Sequence, residues 1–164
     1  MKWFLEFSPP KAPFEIEYHD TIFSLGSCFS ENIAQKMLGM GWKGESNPFG
    51  LLYNPDSILE AVKWIESGEV DSSAFFEHRG LWRHWLCHSS LASRSKEQAI
   101  QNVENALIQG REAWEEADVL ILTLGSAYSW FHVDLDKTVS NCHQMPKGLF
   151  AREFLEIDQI FTKL

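Results

Sequence analysis

The chain has 164 residues, a formal net charge of −9 at pH 7 and 45% hydrophobic residues, which together predict one folded domain and exclude a disordered chain. The acidic balance, without any basic run, excludes a nucleic-acid backbone as the main partner, because phosphate binding needs clustered Lys and Arg. No apolar run approaches the roughly 20 residues of a membrane span, and three cysteines without CxxC spacing favour a cytoplasmic location.

The N-terminal third predicts an arm, a strand and a helix. Residues 1–19 contain three prolines and predict an extended arm, with an edge strand as the alternative. A strand is predicted at 20–25, and an amphipathic helix at 29–40 with Ser30 as its N-cap. The apolar residues of that helix that share a predicted buried face are Phe29, Ile33, Met37 and Leu38.

The turn between this strand and this helix is the best candidate for a catalytic site. Gly26-Ser27 follows the strand at once, so that the Ser27 hydroxyl is expected at the N-terminus of the helix. The unpaired backbone N–H groups of Cys28 and Phe29 would then face an anion or a developing oxyanion. A serine that only starts the helix is the structural alternative.

The middle of the chain predicts a loop, a helix and a hairpin. Residues 42–54 have the turn chemistry of a loop, and their apolar content favours packing over a site or core. Asn54 is expected to cap the next helix, and Gly68 to follow its end. Residues 73–88 predict a β-hairpin with Arg79-Gly80 as its turn, inserted beside the main sheet.

The last third predicts a long helix, a buried strand and a short helix. Ser95 is expected to cap a helix that runs to about residue 116. The near-continuous apolar run at 118–124 predicts a strand buried on both faces, as in parallel sheets, and 154–164 predicts a helix. This order of elements predicts an α/β doubly wound domain with helices on both faces of a mainly parallel sheet.

Further candidate site residues lie in two later turns. Gly125 and Ser126 follow the 118–124 strand, and ligands in open parallel sheets bind beyond the carboxyl ends of strands. We therefore expect both residues to face the same crevice as Ser27. Asn141 and His143 are expected to line that crevice as well.

A metal site is a third possibility, based on one cluster. His84, Cys87 and His88 have metal-like spacing, with His78 nearby. A structural zinc ion takes four ligands in tetrahedral geometry, whereas a strand would spread these side chains over both faces. No metal and no organic cofactor is therefore expected.

Four motifs together resemble the bacterial GSCFA-domain family. They are Gly26-Ser27-Cys28-Phe29, Asn47-Pro48-Phe49-Gly50, Thr123-Leu124-Gly125-Ser126-Ala127 and Asn141-Cys142-His143-Gln144. The family is named for Gly-Ser-Cys-Phe-Ala, and here the fifth residue is Ser30. The resemblance covers residues 20–155 and implies a branch of the SGNH/GDSL hydrolase superfamily. It thereby implies a flavodoxin-like three-layer α/β/α fold with Ser27 as the nucleophile.

The sequence departs from the SGNH pattern in two places. The Asn of the oxyanion hole aligns with Ala127, so that donor is missing, and Asn141 is the candidate replacement. In SGNH enzymes the backbone N–H of a glycine in a second motif also helps to form the oxyanion hole, and Gly50 is the candidate for that glycine. SGNH enzymes carry an Asp-x-x-His motif whose His activates the serine, but none of the six histidines here follows an acidic residue at that spacing. We therefore expect residues 1–164 to form a single domain that lacks the family's C-terminal, base-bearing segment.

Two hypotheses of different classes follow from the resemblance and the residues. The first is a serine esterase or acyltransferase for a small-molecule ester, in which the N–H groups of Ser27 and of Gly125 or a neighbour hold the oxyanion. The second is a non-catalytic binding module on the same fold. Ala127 and the missing base favour the second, since a serine without a base is a weak nucleophile. No oligomeric state follows from the sequence.

Overall fold

A three-stranded parallel sheet organises this computed structural model, which describes residues 7–8 and 10–163. In spatial order its strands are β2 (Lys43–Ser46), β1 (Thr21–Gly26) and β5 (Val119–Thr123). A hairpin of β3 (Phe75–His78) and β4 (Leu81–His84) forms a second sheet. A third, antiparallel sheet has the order β7 (Lys137–Val139), β6 (Tyr128–His132) and β8 (Phe150–Phe154).

Four α-helices accompany these sheets. They are α1 (Cys28–Gly39), α2 (Pro55–Ser67), α3 (Lys96–Glu115) and α4 (Ile157–Lys163). Consecutive residues of β1 point to opposite faces of the sheet. Phe23 packs in the main core with α2 and α3, whereas Ile22 adjoins Ala34 and Met37 of α1. The prediction of an α/β protein with helices around a parallel sheet is therefore confirmed.

The main core lies between β1, α2 and α3. Its largest fully buried side chains include those of Phe23, Leu25, Phe49, Leu52, Ile58 and Ile65. Phe49 and Leu52 come from the 47–53 loop, so that this loop covers the core as the sequence predicts. A smaller cluster around Trp85 and Val139 joins the hairpin to the antiparallel sheet.

The predicted caps of α2 and α3 and the predicted hairpin turn are confirmed. The Asn54 side chain accepts the Ser57 N–H at 2.8 Å, and Gly68 ends α2 with a left-handed φ of 74°. Ser95 accepts the Gln98 N–H at the start of α3. The hairpin turns at Arg79-Gly80, where both φ values are positive, as a type I′ turn requires.

The prediction for α1 is wrong in two details. Ser27, not Ser30, is its N-cap, because the Ser27 backbone is extended and its hydroxyl accepts the Phe29 N–H. Ser30 and Ala34 are the buried residues of the helix, while Phe29 is 62% exposed. Small residues face the sheet here because α1 packs close to it.

Strand β2 was predicted as loop, and the difference has a backbone cause. The sequence Lys-Gly-Glu-Ser has none of the β-branched or aromatic residues that mark strands. Gly44 has a φ of +145°, and a Cβ atom there would lie 1.8 Å from the Ile22 carbonyl oxygen. The strand therefore exists through close backbone pairing to β1, which composition does not reveal.

The prediction that β5 is buried on both faces is also wrong. Leu120 and Leu122 are 45% and 37% exposed, although they pair in register with the buried Phe23 and Leu25 of β1. Within the described residues β5 is an edge strand, paired on one side only. Its apolar run therefore extends past the part of the sheet that α2 and α3 cover.

The sequence-based prediction omitted the antiparallel sheet of β6, β7 and β8. No strand is predicted from the sequence at these positions, and α4 begins at Ile157 rather than at the predicted residue 154. For the N-terminal arm, residues 1–6 and 9 lie outside the described residues. Residues 7–8 and 10–19 form no strand, and Tyr18 packs edge-on against Trp42.

Candidate functional site

Ser27 lies at the carboxyl end of β1, where the chain turns into α1. The preceding Gly26 has a φ of +141°, and a Cβ there would lie 2.3 Å from the Thr123 carbonyl oxygen, so only glycine fits. The Ser27 hydroxyl accepts the Phe29 N–H at 3.3 Å and lies 3.2 Å from the Thr123 hydroxyl. Ser27 as a whole residue is 8% exposed and therefore buried at this turn.

The two glycine turns adjoin each other. A Cβ built on Gly125 would lie 3.0 Å from the Ser27 Cβ and 3.0 Å from a ring carbon of Tyr53. The Gly125 and Ser126 N–H groups both donate to the Tyr53 carbonyl oxygen, at 2.9 and 2.8 Å. The structure thus brings Ser27, Gly125 and Ser126 together at one edge of the parallel sheet.

The backbone donors expected to hold an oxyanion are paired in this conformation. The Ser27 N–H lies 3.0 Å from the Thr123 hydroxyl oxygen and 3.3 Å from the Thr123 carbonyl oxygen. The Gly125 N–H is held by Tyr53. By contrast, the N–H of Cys28, at the first position of α1, has no acceptor among the residues that the structure describes. An anion at this turn would therefore meet the Cys28 N–H first.

The 47–53 loop holds the Ser27 turn in place. The Asn47 side chain accepts the Gly26 N–H at 2.8 Å, and the Leu52 N–H donates to the Gly26 carbonyl oxygen at 2.9 Å. Glu31 of α1 accepts from the Asn47 amide at 3.0 Å. Gly50, the candidate second-motif glycine, uses its own N–H to bond the Asn47 carbonyl oxygen.

Sequence reasoning did not assign Thr123, Asn47 or Tyr53 to the site. The Asn47-Pro48 turn was the available signal, since an asparagine before a proline often bonds neighbouring backbone. Thr123 was not recognised as a site residue because it stands within a run of apolar residues that predicts only a buried strand. No pattern marked Tyr53, which acts through its backbone carbonyl.

Asn141 and His143 lie together but form no hydrogen bond to Ser27. The Asn141 side chain accepts the His143 N–H at 2.7 Å. The His143 ring bonds the His84 carbonyl oxygen and the Ser89 hydroxyl, at 3.0 and 3.4 Å. Burial lowers the pKa of His143 to about 4, so that its ring is neutral at pH 7.

No general base contacts Ser27 within the described part of the chain. Its hydroxyl meets only the Thr123 hydroxyl and the Phe29 N–H, and no imidazole or carboxylate lies within hydrogen-bonding distance. A threonine hydroxyl cannot take up a proton at neutral pH, so these neighbours alone do not activate the serine.

One sizeable cavity lies away from the Ser27 turn. It measures about 490 Å³ and is bounded by α2, β7, the segments on either side of the hairpin and the end of α4. Its wall combines Trp85 and Leu86 with the ion pairs of Lys137 with Asp71 and of Lys163 with Asp56. Ser27 does not line this cavity.

The 84–88 cluster has structural partners for its buried members. Nε2 of His84 lies 2.9 Å from the Asp71 carbonyl oxygen, and its Nδ1 accepts the Leu86 N–H at 3.2 Å. Burial raises the pKa of the Cys87 thiol, which disfavours the thiolate that a metal needs. Among the described residues no three His, Cys, Asp or Glu side chains converge on one metal position.

Fold and site together define an α/β protein with a serine at the strand–helix turn of a parallel sheet. The sequence model of the GSCFA family matches residues 21–164, and the chain belongs to that family. No curated protein and no solved structure matches it. Of the helices described, none is long and apolar enough to cross a membrane.

Proposed function

We propose that this chain carries the nucleophile of a serine-dependent ester hydrolase or acyltransferase of SGNH type, acting on a small-molecule ester in the cytoplasm. The observation that supports this best is the Ser27 hydroxyl at the N-cap of α1, beside the glycine turn at Gly125. The three-stranded parallel sheet, with helices on both faces, is compatible with the flavodoxin-like arrangement of that superfamily.

The reaction begins with attack of the Ser27 oxygen on the ester carbonyl carbon. The hydroxyl proton passes to a base, and the carbonyl oxygen becomes an oxyanion next to the Cys28 N–H and the positive end of the α1 dipole. Collapse of this intermediate releases the alcohol, protonated by the same base, and leaves an acyl-Ser27 ester. Water or a second alcohol then accepts the acyl group.

The space for the acyl group depends on Gly125. A side chain there would press on Ser27 and Tyr53, since an added Cβ already lies 3.0 Å from both. We therefore assign to Gly125 the role of leaving room for an acyl group beside the nucleophile.

Among the residues that the structure describes, none supplies the base of this mechanism at Ser27. The SGNH resemblance implies an Asp-x-x-His motif for this base, and no such motif occurs in residues 1–164. Without it the serine should react slowly, because loss of one member of a catalytic triad costs roughly 10⁴-fold or more in rate.

A non-catalytic binding module on the same fold is the second candidate. Two observations favour it: Ser27 is only 8% exposed, and Ala127 takes the place of an asparagine donor. In that case the Ser27 turn would bind a ligand without forming a covalent bond.

Covalent labelling separates the two candidates. The chain is treated with a fluorophosphonate, with and without added imidazole as a substitute base, and the modified peptides are mapped by mass spectrometry. We expect slow phosphonylation of Ser27, accelerated by imidazole and abolished in Ser27→Ala. Ser90→Ala is the control, since Ser90 is an exposed serine outside this turn. A Ser27 peptide that stays unmodified in the presence of imidazole would exclude the nucleophile and favour the binding module.

A further inference from the structure

A second serine lies against an imidazole, away from the Ser27 turn. The Ser89 hydroxyl oxygen is 3.4 Å from Nδ1 of His143. Ser89 is exposed at the start of a short 3-10 helix, whereas His143 is only 4% exposed. Ser89 is thus a solvent-exposed residue whose hydroxyl contacts a buried imidazole.

The direction of this hydrogen bond follows from the other ring nitrogen. Nε2 of His143 lies 3.0 Å from the His84 carbonyl oxygen, which can only accept a hydrogen bond. Nε2 therefore carries the proton of the neutral ring, and Nδ1 is an acceptor. The Ser89 hydroxyl must donate to it, which is the relation between a nucleophile and its general base.

The surroundings hold the imidazole in one orientation. Trp85 and Phe76 pack against the ring, with centroids 6.0 and 5.3 Å from that of His143. The His84 carbonyl then has the role that an orienting carboxylate has in a catalytic triad, since it selects the tautomer. A third group thus orients the base, as in known nucleophile–base pairs.

The backbone at this histidine is held in an uncommon conformation. His143 and Gln144 have φ values of 47° and 60°, in the left-handed region that residues other than glycine rarely adopt. The Asn141 side chain holds the turn by accepting the His143 N–H at 2.7 Å. Strained backbone of this kind is concentrated at functional sites, where it aims a side chain.

The charge state of the ring suits a proton acceptor at neutral pH. Burial lowers the pKa of His143 to about 4; the hydrogen bond to the His84 carbonyl oxygen acts in the opposite direction, and the positive charge of Arg83 lowers the pKa further. The neutral ring therefore keeps the Nδ1 lone pair available to Ser89. The low pKa also makes it a weaker base than a histidine that titrates near pH 7.

We propose that Ser89 and His143 form a second reactive-serine site that is acylated by small activated esters. The Ser89 oxygen bonds to the ester carbonyl carbon while its proton passes to Nδ1 of His143. The bond from that carbon to the leaving oxygen then breaks, and Nδ1 returns the proton to the departing alcohol. The product is an ester on Ser89, which water hydrolyses by the same steps with the roles of alcohol and water exchanged.

This site is independent of the one at Ser27, so one labelling experiment reports on each separately. The chain, with Ser27→Ala as background, is treated with a fluorophosphonate, and adducts are quantified on the peptide that contains both Ser89 and Ser90. Ser90 is a matched internal control, because its hydroxyl also lies near an imidazole, 3.2 Å from Nδ1 of His88. That nitrogen already faces the Ser90 N–H at 3.3 Å and is therefore not free as a base.

We expect Ser89 to react about tenfold or more faster than Ser90, and His143→Gln to remove this difference. Because His143 is buried, a second measurement uses the unaltered histidine. The ratio of Ser89 to Ser90 labelling should fall as the pH is lowered toward 4, where the ring of His143 is protonated, and it is compared only at pH values at which tryptophan fluorescence shows that the chain is still folded. Equal labelling of the two serines, or a ratio that does not change with pH, would overturn the proposal. Neither result depends on whether Ser27 reacts.

Discussion

Acid should destabilise this fold through two buried imidazoles. His84 and His143 are 2% and 4% exposed, and burial lowers the pKa of each from 6.5 to about 4. In the unfolded chain both rings take up protons as the pH falls through 6.5, whereas the folded chain excludes these protons until about pH 4. Stability is therefore highest above pH 6.5 and is lost as the pH falls from 6.5 to 4.

The size of the effect follows from the two pKa values. A difference of about 2.5 between the unfolded and folded pKa corresponds to about 3 kcal/mol for each histidine, as an upper bound. In the middle of the window each histidine should contribute about 1.3 kcal/mol per pH unit. Since a domain is stable by only about 5–15 kcal/mol, two such groups would remove much of its stability by pH 4.

Urea unfolding followed by tryptophan fluorescence measures this dependence between about pH 7.5 and pH 4.5. His143→Gln should reduce the slope of the unfolding free energy against pH by about half. His19→Gln is the control for replacing a histidine outside the core, because the His19 side chain is 79% exposed. A midpoint that stays constant from pH 6.5 to 4.5 would show that these rings are not buried as neutral groups.

Three further predictions concern stability and use the same urea assay. Gly44→Ala should destabilise the fold by more than about 2 kcal/mol, because its Cβ would lie 1.8 Å from a β1 carbonyl oxygen. Gly148→Ala is the control and should change stability little, because there is open space around Gly148. Equal effects of the two substitutions would contradict the pairing of β2 with β1. Asn54→Ala should lose about 1 kcal/mol through the missing cap of α2, and no loss would contradict the cap. Leu122→Lys should lower the free energy of unfolding by less than about 1 kcal/mol, whereas Leu25→Lys, at the fully buried position that pairs with it, should prevent folding. A severe effect at Leu122 would show that β5 is covered in solution.

The features predicted correctly from the sequence are those encoded within a few residues. Asn54 and Ser95 cap helices through side chains that reach only three residues ahead, and the Arg79-Gly80 turn depends on its own two residues. The Ser27 turn was likewise recognisable from a strand pattern followed at once by Gly-Ser.

The features missed from the sequence depend on partners distant in the chain. Strand β2 forms because its backbone pairs with β1. Strand β6 pairs with β8, from which residues 133–149 separate it in the chain. The exposure of Leu120 depends on how far α2 and α3 extend over the sheet, which no local pattern records. Composition therefore predicted a buried strand where the structure has a half-exposed edge.

The candidate site shows the same division between local and distant information. The sequence alone determined that a serine stands between a strand and a helix, because propensity and glycine conformation act over neighbouring residues, whereas the cap was predicted at Ser30 and lies at Ser27. Only the tertiary structure decided which groups surround that hydroxyl: Thr123 and Gly125 lie beside Ser27, whereas His143 bonds to Ser89. The physical reason is that strand order and loop packing set these contacts between residues far apart in the chain, through the burial of a shared core.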